Sequence, residues 1–155
     1  MGDLLAGTVV DALDFPPAVE YTDATQIDNP TNTTYATGSP VVGGTFVAPT
    51  TGRVRLIVGG GLGNSSGADR IFLSPQVFLG TDATGTEILA PTVVTRGYSA
   101  ENGAAGFHYG SRLSILEGLT PGATYYARIM HVVSADPGAQ TGDIAYRQIT
   151  IAPAA

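Results

Sequence analysis

Hydrophobic positions in this chain come in short runs, and within the runs they alternate. Val54, Leu56 and Val58 share one parity while Arg53 and Arg55 take the other, the pattern of a strand with one face in a core. Ile57 breaks the polar face, so this strand reads as covered on both sides. Phe107, Tyr109, Leu113 and Ile115 also share one parity, interrupted by Ser111. Segments of helical period are almost absent. Runs rich in Val, Ile, Thr, Tyr and Phe predict strands over 45–48, 53–58, 70–79, 87–95, 106–116, 124–133 and 143–151. Turns are expected at PTTG, GGGLGNSSGAD, GTDATGTE, GYSAENGA, GLTPGA and SADPGAQTG. Parallel crossovers need helices that this pattern lacks. The expected fold is therefore all-β: a single antiparallel β-sandwich or jelly roll over residues 41–155.

Residues 1–40 read differently. They contain few periodic apolar positions and four prolines, with short strands expected only near 8–10 and 33–35. Pro16-Pro17 favours an extended, polyproline-like course over a sheet interior. Leu13, Phe15, Pro16, Pro17, Val19, Tyr21 and Ile27 stand as isolated anchors, so the segment reads as an extended N-terminal arm that orders on contact with a neighbour. The alternatives are a lid packed on its own domain or a disordered tail. On the arm reading, removing residues 1–28 abolishes attachment and leaves the fold.

Composition narrows the function. Charged residues are only 13% of the chain, about half the usual share. Such a surface suits a protein that lives inside an assembly. Net charge is -6, and all seven basic residues are scattered arginines. Without a basic patch, nucleic acid is not an expected partner. The absence of cysteine excludes disulfides, thiolate metal sites and cysteine nucleophiles. The N-terminus lacks a basic n-region and carries early acids, so it does not read as a signal peptide. No apolar stretch approaches a membrane span, and no membrane partner is expected.

Several motifs look chemical. Gly63-Asn64-Ser65-Ser66-Gly67 matches the nucleophile elbow of hydrolases. That chemistry needs a strand-to-helix turn in a parallel sheet, with an acid and a histidine following. ADRIFLSPQVFLG follows instead and reads as a strand, so Ser65 is assigned to a turn. The glycines of VGGGLGN are out of register for a phosphate loop and lack its Lys. His108 and His131 have no metal-ligand spacing around them, and the acids are dispersed. The sequons at Asn32 and Asn64 read as chance matches in a Ser/Thr/Asn-rich chain. No catalytic residue, cofactor or metal is expected, and the chain reads as non-enzymatic. Loop 97–106 is a candidate recognition face, and Tyr98 and Asn102 within it would cluster with Tyr109 at one exposed edge, because Tyr and Asn suit adaptable contacts.

Three resemblances stand in the sequence. Leu119-Thr120-Pro121-Gly122 followed by Tyr125 resembles the tyrosine corner of fibronectin type III domains, which makes that sandwich the alternative fold; the Trp usual in such domains is missing. YATGSPVVGGTFVAPTTGRVRLIVGG resembles the opening of complement-type and tumour-necrosis-factor-like jelly rolls. That resemblance implies that Phe46 anchors the core, Ala48-Pro49 ends a strand, Gly52 turns the chain, and the molecule is a homotrimer. The stretches AGTVV, DFPPAVEYTDATQIDN, GSPVVGGTFVAPTTGRV and LTPGATYYARIMH are similar to small structural proteins of phages and prophages of high-GC actinobacteria. The phage resemblance implies a virion protein assembled in the host cytoplasm, with the major capsid protein or other virion proteins as partners. Its expected role is decoration or stabilisation of the outer head. The alternative is a minor tail or fibre-tip protein that binds a host glycan or protein.

Overall fold

The computed structural model describes residues 12, 14–64, 70–100, 106–134 and 142–155. Among these residues, ten strands and one helical turn follow in order: β1 (Val19–Asp23), β2 (Ile27–Asp28), β3 (Gly43–Val47), β4 (Val54–Asn64), β5 (Ile71–Leu79), β6 (Glu87–Leu89), α1 (Val93–Arg96), β7 (Tyr98–Ala100), β8 (Phe107–Leu116), β9 (Thr124–Val133) and β10 (Gly142–Pro153). All strand pairs are antiparallel.

The pairing is nested. β1 pairs with β10, β3 with β9, β4 with β8, and β5 with both β6 and β7. This is one long hairpin, rolled so that β10 also meets β4 and β9 also meets β5. The result is two sheets: sheet A, ordered β1-β10-β4-β8 with β2 also on β10, and sheet B, ordered β3-β9-β5-β6 with β7 also on β5. Nested pairing rolled into two packed sheets is a jelly roll, which replaces the fibronectin type III alternative. The core lies between the sheets. Leu56, Val58 and Leu62 of β4 and Ile144, Ile149 and Ile151 of β10 meet Leu73 and Val77 of β5 and Ile129 of β9.

Three local expectations change. The glycine run 59–64, read as a turn, continues β4. Its glycines are strand residues because neighbours fill their side-chain space: a Cβ on Gly61 would sit 2.5 Å from the Tyr109 ring, and one on Gly63 would sit 2.7 Å from the Gly106 carbonyl. The strand expected over 87–95 stops at Leu89, and a single helical turn occupies Val93–Arg96. Pro75 accounts for that break. β5 pairs with β9 through Pro75 without a register shift, yet on its other side no strand pairs with residues 74–76. A residue without an N–H leaves a gap that splits the edge into β6 and β7. The buried Ser74 hydroxyl bridges it, accepting from the Thr92 amide at 2.8 Å and donating to the Thr92 carbonyl at 3.1 Å. Third, the segment 33–35 forms no strand; a lone bridge joins Ala36 to His131.

The corner at Thr120–Tyr125 closes as its sequence predicts. The Thr120 amide donates to the Tyr125 hydroxyl at 2.9 Å, and the Tyr125 ring stacks on Phe46 with centroids 5.6 Å apart. Tyr125→Phe keeps the stack and orphans the amide, so it is expected to cost about 1 kcal/mol, read as a lower urea midpoint with an unchanged slope.

Candidate functional site

The two histidines singled out for chemistry do not converge. Ser65 lies outside the described residues, but the strands on either side of it, β4 and β5, belong to antiparallel sheets, and no helix precedes Ile71 among the described residues. His108 is exposed on β8 of sheet A, whereas His131 is buried on β9 of sheet B. Among the described residues, no three His, Cys, Asp or Glu side chains group as a metal site. No described helix is long and apolar enough to cross a membrane. Asn32 is used structurally: its amide donates to the carbonyls of Thr34 and His131 at 2.9 and 3.0 Å.

The expected arm residues divide. Val19, Tyr21 and Ile27 pack against the core, because β1 and β2 are hydrogen-bonded to β10. Tyr21 also ties the two sheets together, its hydroxyl donating to the Thr45 carbonyl at 2.6 Å. Ahead of β1 the picture changes. Phe15 is 66% exposed, Pro17 is exposed and Pro16 is buried. Asp14 accepts from the Thr50 hydroxyl at 2.7 Å. Leu13 lies outside the described residues. Cutting at residue 28 would therefore remove two strands of sheet A, so the expectation that this truncation spares the fold is corrected.

Phe46 lies near the end of β3, and the turn from Pro49 to Gly52 leads from there into β4. Phe46 is 5% exposed, and the Pro49 carbonyl accepts from the Gly52 amide at 2.9 Å. Gly52 has φ +63°, and a Cβ there would lie 2.5 Å from the Leu119 carbonyl oxygen, so both conformation and space call for glycine.

The most polar buried feature is Arg147, with its side chain fully shielded from solvent. Its guanidinium reaches Asp23 at 2.9 Å and donates to the Thr37 carbonyl at 3.0 Å. It thereby clamps the segment 19–38 onto β10. The Asp23 carboxyl is raised by partial burial, but bonds from the Thr25 amide, Arg147 and the Thr25 hydroxyl outweigh this and hold it below its usual value. His131 is 4% exposed, and burial, reinforced by the nearby Arg147 charge, pushes its pKa down to about 4. Among the described residues, His131 Nδ1 and Arg147 Nε have no hydrogen-bond partner.

A pH dependence follows. Between about 6.5 and 4 the unfolded imidazole binds a proton that the folded one refuses. Stability from this residue is complete above that window and falls as the pH descends through it, by at most about 3 kcal/mol. Urea midpoints measured from pH 7.5 down to pH 4 should drop, and the drop should shrink in His131→Gln.

The outer face of sheet A holds the candidate interaction site. The parity of β8 is inverted relative to a core strand: Phe107, Tyr109 and Leu113 are 36%, 68% and 53% exposed. They face outward because their register partners on β4, Gly63, Gly61 and Ile57, are of opposite parity to the core residues Leu62, Val58 and Leu56. Phe107 and Tyr109 also meet edge to face, with centroids 6.5 Å apart. A cavity of about 310 Å³ opens beside Tyr109, lined by Gly60, Tyr109, Gly110, Ser111, Tyr146 and Gln148. Tyr98, expected at the same edge, is only partly exposed; its hydroxyl donates to the His108 carbonyl at 3.4 Å, and burial raises its pKa. Asn102 lies outside the described residues. Sequence reasoning missed Tyr146 and Gln148, since only the β10–β4 register places them across from Gly61 and Gly59.

No family model and no curated protein matches this chain. Solved structures do. A chain in the structure of infectious bursal disease virus Gx strain is similar over 99% of this chain, with a TM-score of 0.52 and 11% identity. A chain of the T13 viral particle of the same virus is similar over 99%, with a TM-score of 0.50 and 16% identity. This chain spans 37% and 35% of those two chains, and at such identities the likeness is one of fold.

Proposed function

We propose that this chain is a non-enzymatic structural protein of a virus particle, a phage-type decoration or stabilisation protein that sits as a homotrimer on the outer head surface. The observation that carries the reading is the nested jelly roll itself, similar along nearly its whole length to chains of an assembled viral particle. Composition supports it: a surface poor in charge suits burial in an assembly, and a net charge of -6 without a basic patch suits a position away from nucleic acid. The major capsid protein or another virion protein is the partner, and the particle, assembled in the host cytoplasm, is the location.

Attachment is assigned to the chain ahead of β1, where Phe15 projects into solvent beside Pro17. Truncation of residues 1–15 is the appropriate test, since it leaves β1 and the Arg147 clamp in place. The truncated protein should keep its urea midpoint and lose co-sedimentation with particles from which the native protein has been stripped. Retained co-sedimentation would refute the arm. Sedimentation equilibrium should give three times the chain mass; a monomer at working concentration would refute the trimer. The exposed Tyr109 and its neighbouring cavity favour a second reading, a tail or fibre-tip module that binds a host surface.

A further inference from the structure

Three neighbouring strands of sheet A put two rows of side chains in register on the outer face. The first row is Tyr109 on β8, Gly61 on β4 and Tyr146 on β10. The next outward-facing row is Ser111, Gly59 and Gln148. Strands lie about 4.8 Å apart, so the two tyrosines stand about 10 Å apart at their backbones, astride a residue with no side chain. The Tyr109 ring leans over Gly61, so the open slot lies beside it: Gly60 and Gly110 lend it backbone, the two tyrosines flank it, and the Ser111 hydroxyl and Gln148 amide line it one row along. The cavity of about 310 Å³ is this slot.

We infer that the slot binds one ring of a neutral saccharide. A sugar ring has apolar C–H faces and a perimeter of hydroxyls. It needs a flat apolar surface next to uncharged donors and acceptors, which Tyr109, Ser111, Gln148 and the Gly110 backbone supply together. Every lining residue is uncharged. The nearest polar chain runs from the Gln148 amide at 3.3 Å to the Thr150 hydroxyl, which donates to Glu20 at 3.4 Å. That chain orients Gln148 and places a carboxylate at its far end, which disfavours an anionic ligand. The volume sits at the lower bound for small-molecule sites, enough for a ring and short for a peptide segment. Between the exposed Phe107 and Leu113 the ground beside the tyrosines is polar, held by Ser111, Gln148, Thr150 and Glu20, which breaks up the apolar face a second copy would need. The slot lies within the folded sheet, so this inference stands or falls separately from attachment to a particle.

The test is a titration of the ¹⁵N-labelled full chain with methyl glycosides of glucose, galactose, mannose, rhamnose and N-acetylglucosamine. Sialic acid serves as an anionic comparison and a polyproline peptide as the competing class. At least one neutral glycoside should shift the amides of residues 59–61, 109–111 and 146–148 in the millimolar range. Tyr109→Ala should weaken that binding about tenfold, the worth of one stacked ring, and Tyr109→Phe should retain it. Tyr109 is exposed, so its replacement leaves the core untouched; Gln148→Ala gives a second loss by removing the amide. The inference is overturned if no neutral glycoside moves these amides, if Tyr109→Ala and Gln148→Ala bind as the native chain does, or if only the peptide or sialic acid binds there.

Discussion

Arg147→Ala should cost roughly 3 kcal/mol, the largest effect expected of any single polar residue here. Three losses combine. The guanidinium is fully shielded, so its removal leaves a cavity between the sheets. The Thr37 carbonyl loses its donor, and Asp23 loses its cation. Segment 19–38 then keeps its ladder to β10 but loses the clamp at its far end. The measurement is the urea midpoint with its slope: a lower midpoint with an unchanged slope reports lost stability, and a changed slope reports fraying of β1 and β2. Arg147→Met is the informative companion. It fills much of the space without a charge to bury, and hydrophobic replacement of a buried ion pair is often neutral. Met should therefore be far milder than Ala. Asp23→Ala leaves the buried guanidinium unpaired and should destabilise more than Arg147→Met.

Gly60→Ala should cost about 2 to 3 kcal/mol although it adds one methyl group. Gly60 sits in the middle of β4, paired with β10 on one side and β8 on the other. A Cβ there would run into the Tyr146 backbone carbonyl and come within 2.8 Å of Leu73 Cδ1. The carbonyl belongs to the β10 ladder and cannot retreat without opening the sheet. Gly110→Ala is the contrast: its Cβ meets the ring end of Tyr98 at 2.9 Å, and a side chain at the sheet edge can swing away. Equal losses from the two variants would show that strand propensity, not the packed carbonyl, sets the cost.

These two residues mark what the sequence did and did not make legible. Strand positions such as 124–133 were readable because β-branched and aromatic residues alternate between turn signals. The extension of β4 was not, because glycine is a turn residue by local preference and a strand residue only when a neighbour occupies its side-chain space; Tyr109 and Phe107 come from a strand more than forty residues away. The end of the strand at Leu89 was hidden for a similar reason, since the gap left by Pro75 matters only once β5 has partners on both sides. Residues 19–36 read as an arm because their apolar positions are sparse, yet few are needed when β10 supplies the ladder and Arg147 the clamp. The outward apolar row of β8 was visible as a parity, but parity does not say which face is inside. Tyr109 was therefore noticed and its slot was not.

The virion reading is tested most directly by gold-labelling, with an antibody to the purified chain, of particles from a culture whose genome encodes it. The account predicts even labelling over the heads, with the same chain present in the purified particles. Labelling confined to the tail end, or intact particles carrying no label at all, would contradict it.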